Sequence, residues 1–253
     1  MHNQKPYFEP SLPRVFAHRG LATNAPENTL LAFSAAVELG VQYLETDVHA
    51  SSDGVSVVSH DPDLTRLAGI RSAVSDYTME KLRGLALGAG QGFSSLAEAL
   101  DAFPQTRFNI DIKSVDAVQP TVDAIRSANA TARVLVTSFS EVRRLAAVRQ
   151  LPGVATSAGA NRFAAALGAA TLAARRPLRR VLREVDCVQV PTTYGPIRIT
   201  TAPMIARLHA AGVEVHVWTI NDESQMHALL DLGVDGLVTD RADLAMNVLR
   251  ARS

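Results

Sequence analysis

The chain of 253 residues contains a single cysteine, Cys187, which excludes an intramolecular disulfide framework. It has no surplus of either charge. Its 25 Lys and Arg balance 25 Asp and Glu, so there is no global field of the kind that draws a protein to nucleic acid or to a membrane surface. Aromatic residues make up only 5%, with one tryptophan, and no apolar run is long enough to span a bilayer. The opening MHNQKPYFEPSLP lacks the basic-then-apolar order of a secretion signal. These absences predict a cytoplasmic protein with no nucleic-acid partner and no stable membrane insertion. Its partners must be read from a site. What is abundant is apolar residue, 47%, enough for a substantial core in one domain.

Three stretches share a local pattern: AAVELGVQYLETD (35–47), ARLHAAGVEVHVWT (206–219) and HALLDLGVDGLVTD (227–240). Each reads as a helix end, a glycine suited to a left-handed cap, and a short apolar strand. RVFAHRG, RFNIDIK, RVLVTS, GVATSA and DCVQV bring the strand count to eight, with apolar-periodic helices between most of them. Strand and helix alternating over this length predict an α/β TIM (β/α)8 barrel. The reading is one domain over residues 14–251, with an inserted region over 62–93 carrying a short helix near residues 78–85. Arg175, Arg176, Arg179, Arg180 and Arg183 form a basic cluster, read as a solvated helix face.

Residues 45–61, ETDVHASSDGVSVVSHD, gather acids, histidines and a glycine turn in a chain otherwise rich in Ala, Val and Leu. Alternation on a strand sends Glu45, Asp47 and His49 to one face, and in RFNIDIK it sends Asn109, Asp111 and Lys113 to one face. Buried acids inside a barrel need a compensating cation, and the open C-terminal mouth is where barrel enzymes keep such groups. Three carboxylates without Cys or His at ligand spacing suit one hard divalent cation, Mg²⁺ or Ca²⁺. Internal salt bridging with Lys113 and Arg19 is the structural alternative.

His18 and His60 each end a strand beside a charged residue, which suits proton transfer. Arg19 offers planar donors for a phosphate, and Gly20 permits a sharp turn. In APENTLLAF either Asn28 or Thr29 serves as helix N-cap; Glu27 reaches towards the mouth or simply complements the helix N-terminus. Trp218 shares a predicted strand face with His216 and Ile220, so it either stacks on substrate or packs the barrel top. Phe139, Tyr194 and Gln189 are weaker pocket candidates.

Taken together, His18-Arg19-Gly20, Pro26-Glu27-Asn28-Thr29, Glu45-Thr46-Asp47-Val48 with Asp53-Gly54, His60-Asp61, Asp111-Ile112-Lys113, Val217-Trp218-Thr219-Ile220-Asn221 and Gly236-Leu237-Val238-Thr239-Asp240 resemble the glycerophosphodiester phosphodiesterase family, in order and spacing. The resemblance implies a barrel that hydrolyses small-molecule glycerophosphodiesters to glycerol 3-phosphate and an alcohol. It places Glu45, Asp47 and Asp111 as metal ligands and His18 and His60 as the acid/base pair, with Arg19, Glu27, Lys113 and Trp218 at the substrate. Asp111 is one methylene shorter than the Glu more usual in the family. The rival expectations are a lysophospholipase D-like enzyme acting on single-chain lipids and a noncatalytic phosphate- or polyol-binding barrel.

Overall fold

The computed structural model describes residues 5–252. Strand β1 (Arg14–His18) leads through a tight loop to α1 (Leu30–Glu38), and β2 (Tyr43–Ala50) turns back as an antiparallel hairpin into β3 (Ser56–Val58). An excursion carrying α2 (Thr65–Ala68) and α3 (Met79–Arg83) follows, then α4 (Leu96–Ala102). From there strand and helix alternate: β4 (Arg107–Ile112), α5 (Val118–Ser127), β5 (Val134–Thr137), α6 (Glu141–Val148) and β6 (Ala155–Thr156). Helices α7 (Ala160–Thr171) and α8 (Arg175–Leu182) precede β7 (Cys187–Val190). A small hairpin of β8 (Thr193–Tyr194) and β9 (Ile197–Arg198) is inserted before α9 (Ala202–Ala210). The chain ends with β10 (Glu214–Val217), α10 (Glu223–Asp231), β11 (Gly236–Thr239) and α11 (Ala242–Arg252).

Eight strands pair in parallel in the order β6-β5-β4-β2-β1-β11-β10-β7, and a parallel bridge between Ser157 and Cys187 brings the two ends together. This is a TIM barrel, and its eight strands are those the alternation predicts. Outward-facing residues such as Val15, Leu44, Phe108, Val136, Val188 and Leu237 pack with the helices into one apolar layer. Inward-facing Phe16, Tyr43, Leu135, Ala155, Cys187 and Val238 form a second cluster inside the barrel. Both strand faces are therefore buried, as a parallel sheet wrapped by helices requires.

The barrel floor is polar and closed. Arg14 donates to both carboxylate oxygens of Glu214 (2.9 and 2.8 Å), to the Tyr43 hydroxyl (2.7 Å) and to the Phe8 carbonyl (2.9 Å). Tyr43 in turn donates to the Tyr7 carbonyl at 2.9 Å, and Tyr7 and Phe8, on a 3-10 turn, are buried against the floor. His216 stands above, fully buried, with Nε2 3.0 Å from Glu214 and Nδ1 without a hydrogen-bond partner. With the floor filled, the opposite end is the one left for a ligand.

The excursion after His60 has its own small apolar core of Val57, Leu64, Val74, Met79, Leu82 and Phe93. Thr78 caps α3, its hydroxyl accepting from the Lys81 N–H. The short α2 was not anticipated from the sequence, nor was the β8-β9 hairpin.

Candidate active site

Strand register assembles the mouth. His18 lies beside Glu45, Glu45 beside Asn109, and Asp47 beside Asp111. Since all of these point inward near the strand C-termini, they border one cavity of about 280 Å³. Arg19, His60, Lys113 and Trp218 line it too. Of the nine expected site residues only Glu27 does not. It stands behind Arg19, its Oε1 accepting from Arg19 Nη1 at 3.0 Å and from Arg66 Nη2 at 2.6 Å.

The loop after β1 is shaped for close approach. Gly20 has φ +83°, and a Cβ there would lie 2.6 Å from the Ala32 backbone, so only glycine lets the loop fold onto α1. This turn aims the backbone N–H of Arg19 at Glu45 (3.2 Å) and its guanidinium at Asp47 (3.3 Å) and Glu27. Thr29 is the N-cap of α1, accepting from the Ala32 N–H. Asn28, at φ +58°, serves otherwise: buried, it accepts from the Thr46 hydroxyl (2.8 Å) and donates to Asp47 (3.4 Å).

The acids crowd. Burial, and then the charge of Asp47, push the Glu45 carboxyl well above the usual carboxylate range, beyond what His18 and Lys113 restore. Burial raises Asp111 as well, despite Lys113 beside it. Lys113 Nζ lies 2.7 Å from both Asp47 and Asp111, so part of the salt-bridge reading holds. Three carboxylates nevertheless face two fixed cations, Arg19 and Lys113. Asp111 Oδ1 and Asn109 Oδ1 are buried without a hydrogen-bond donor, and both are oxygen atoms that a hard cation prefers. The donor set thus fits Mg²⁺ or Ca²⁺ in chemistry, although among the described residues no three acid or histidine side chains already form a closed metal cage.

Each histidine is oriented by a carboxylate. His18 Nδ1 is 2.6 Å from Asp240 Oδ1, and Asn221 holds Asp240 by donating to its other oxygen at 2.7 Å. Burial alone would lower the His18 pKa, but Glu45 and the Asp240 hydrogen bond outweigh it and the net shift is upward. His60 Nδ1 is 2.8 Å from Asp61 Oδ1, and His49 Nε2 lies 3.2 Å from the His60 carbonyl. His49 keeps the strand parity of Glu45 and Asp47 but supports the His60 backbone and does not line the cavity. In His18 and His60 alike Nδ1 is engaged by a carboxylate, and Nε2 is the other ring nitrogen; that of His18 lies 3.8 Å from Glu45 Oε2.

One side of the wall is apolar, formed by Ala158, Ala160, Phe163, Pro191, Tyr194 and Trp218, while Thr137, Ser138, Ser157 and Thr219 add polar lining. Phe139 stands at the rim, 58% exposed, edge-on to Trp218 and over Lys113. The expectation that Trp218 and Ile220 share a face is corrected: β10 ends at Val217, and Ile220 is buried in the outer apolar layer. Gln189 borders the cavity with its Nε2 buried and unpartnered. The arginine cluster lies elsewhere, on α8 and at the strand N-terminal end, exposed as expected of a solvated face.

A closed parallel barrel whose mouth pairs acids, fixed cations and two carboxylate-oriented histidines defines a barrel hydrolase acting on an anionic substrate. The profile of the Glycerophosphoryl diester phosphodiesterase family matches residues 18–244. "Probable glycerophosphodiester phosphodiesterase 2" of Mycobacterium tuberculosis is 45% identical over 240 residues, covering 94% of this chain and 91% of that one. A glycerophosphodiester phosphodiesterase of Caldanaerobacter subterraneus is 28% identical, covering 93% and 97%. An Oleispira antarctica phosphodiesterase, solved in complex with the product sn-glycerol-3-phosphate, superposes with a TM-score of 0.78 at 22% identity, covering 94% and 97%. The chain belongs to the glycerophosphoryl diester phosphodiesterase family and is a phosphoric diester hydrolase. Among its described residues no helix is long and apolar enough to cross a membrane.

Proposed function

We propose that the protein hydrolyses glycerophosphodiesters to glycerol 3-phosphate and an alcohol, with one divalent cation, Mg²⁺ or Ca²⁺, held by Glu45, Asp47 and Asp111. The observation that carries the reading is the pairing of a cation-deficient carboxylate cluster with two carboxylate-oriented imidazoles around one cavity. Bound there, the ion supplies charge stabilisation at the nonbridging phosphate oxygens. Arg19 binds the same oxygens through its fixed donors, Lys113 adds positive charge at the rim, and Glu27 holds the Arg19 side chain in place. His18 removes the proton from the nucleophile through Nε2, while Asp240 holds Nδ1; that nucleophile is either water, which gives glycerol 3-phosphate directly, or the glycerol 2-hydroxyl, which gives a cyclic phosphate that water then opens to glycerol 3-phosphate. His60, held likewise by Asp61, protonates the leaving alcohol. Trp218 packs against the alcohol on the apolar side. Because the chain is an enzyme of this family, the noncatalytic barrel is set aside.

The experiment is release of glycerol 3-phosphate from glycerophosphocholine after chelation and after restoring Mg²⁺ or Ca²⁺. Activity is expected to vanish with chelation and return with the ion. In Glu45→Gln it is expected to need at least about tenfold more metal while folding is retained, given the usual effect of a perturbed ligand set. Full activity of the chelated protein, or an unchanged metal requirement in the variant, would refute the metal assignment.

The apolar wall supports a second reading, turnover of single-chain lysophospholipids whose acyl chain lies against Phe163, Tyr194 and Trp218. The same assay with lysophosphatidylcholine separates the two, since the lipid enzyme prefers the acylated substrate.

A further inference from the structure

We propose that Arg66 is a positioning residue that couples the His60 side of the mouth to the Arg19 side; the assignment rests on the roles given to His60 and Arg19 above. Arg66 lies on α2, in the excursion that follows His60, and does not border the cavity. Its guanidinium nonetheless makes two charge-assisted contacts with groups that stand directly behind the site. Nε donates to Asp61 Oδ2 at 2.6 Å, and Nη2 donates to Glu27 Oε1 at 2.6 Å.

Each acceptor has a second partner in the site. Asp61 uses its other oxygen, Oδ1, on His60 Nδ1 (2.8 Å), and Glu27 accepts from Arg19 Nη1 on the same Oε1 (3.0 Å). The contacts form one continuous ladder, His60-Asp61-Arg66-Glu27-Arg19. It starts on the loop after β3 and ends on the loop after β1, two segments that no strand pairing joins.

Chemistry explains why this position needs arginine. A planar guanidinium can serve two carboxylates at once in fixed directions, whereas an ammonium is a point charge without that fork. Arg66 is 48% exposed, so an ion pair here contributes little to stability. Its effect is geometric. Without it Asp61 and Glu27 lose a shared anchor, the His60 ring is fixed only by the neighbouring residue, and the acid and the phosphate-binding arginine are free to drift apart. Small misplacements of this kind are costly in catalysis.

The test uses the full chain, glycerophosphocholine and saturating divalent ion, with Arg66→Ala, Arg66→Lys, Asp61→Asn and the Asp61→Asn/Arg66→Ala pair. Arg66→Ala is expected to lower kcat about 10- to 100-fold, the usual effect of removing a group that orients a site residue, with KM changed far less. Arg66→Lys should recover part of the loss. In the Asp61→Asn background, Arg66→Ala should cost clearly less than it does in wild type, because the Asp61 arm of the ladder is already weakened and mainly the Glu27 arm remains to be lost. Turnover of Arg66→Ala within twofold of wild type, or a loss that appears only as a lower melting temperature with unchanged kcat per folded molecule, would overturn the assignment. So would full additivity with Asp61→Asn. If His60→Asn also retained wild-type turnover, the failure would lie in the roles proposed for the site itself, and the Arg66 assignment would fall with them.

Discussion

Replacing His60 by Asn is expected to lower turnover by about two to four orders of magnitude, and His18→Asn to do the same, the range that general acid or base catalysis supplies. At about 1.4 kcal/mol per decade this is roughly 3 to 6 kcal/mol of the barrier for each proton transfer. Asn keeps the size and some hydrogen bonding of the imidazole but cannot exchange a proton near neutral pH. Because Asp240 and Asp61 already engage Nδ1 of the two rings, each variant removes Nε2 while leaving its carboxylate a donor to accept from. The check is steady-state turnover of glycerophosphocholine with metal at saturation, beside the melting temperature of each variant. A loss in kcat with unchanged melting fits the roles assigned. Turnover within tenfold of wild type for either variant would remove that histidine from the chemistry.

Arg14→Met should destabilise the fold by about 3 to 5 kcal/mol, read as a lower urea midpoint, since it leaves Glu214 charged and buried without its partner. The pH dependence follows from the same pair. Burial alone would raise the Glu214 carboxyl, but Arg14 and His216 pull it from 4.5 down to about 2. A carboxyl whose folded pKa is depressed stabilises the fold fully above its unfolded value and loses that contribution as pH falls through the folded one. Wild type should therefore exceed Glu214→Gln in stability near neutral pH, and the gap should close between about pH 4.5 and pH 2. A gap that widened on acidification would contradict the assignment. Activity per folded molecule should be unaffected near neutral pH, because the floor and the mouth lie at opposite ends of the barrel.

These two tests address parts of the molecule that differ in how far the sequence reveals them. The mouth was legible because strand parity is local: Glu45 and Asp47, or Asn109 and Asp111, share a face whatever else the chain does, and parallel register then sets Asp47 beside Asp111. His18 and His60 were legible because each ends an apolar run. The floor was not, since Arg14 and Glu214 lie 200 residues apart and neither carries a local pattern that announces the other. Arg66 was missed for a related reason. It sits in a segment with no strand character, and its importance comes from touching Glu27, 39 residues away. Trp218 shows the limit of parity itself, which predicts faces only while the strand lasts; β10 stops at Val217 and Ile220 turns to the outer core. The basic residues of α8 formed the most conspicuous cluster in the sequence, and they lie outside the mouth altogether.

The central claim is that Glu45, Asp47 and Asp111 hold a divalent cation beside a phosphate flanked by His18 and His60. Anomalous diffraction from crystals grown with Mn²⁺ in place of the natural ion, and with glycerol 3-phosphate, tests it most directly. The predicted result is one strong anomalous peak bonded to oxygen atoms of all three carboxylates, with the phosphate beside it and an imidazole on either side. A peak elsewhere, or a phosphate bound in the cavity out of reach of both histidines, would contradict the account.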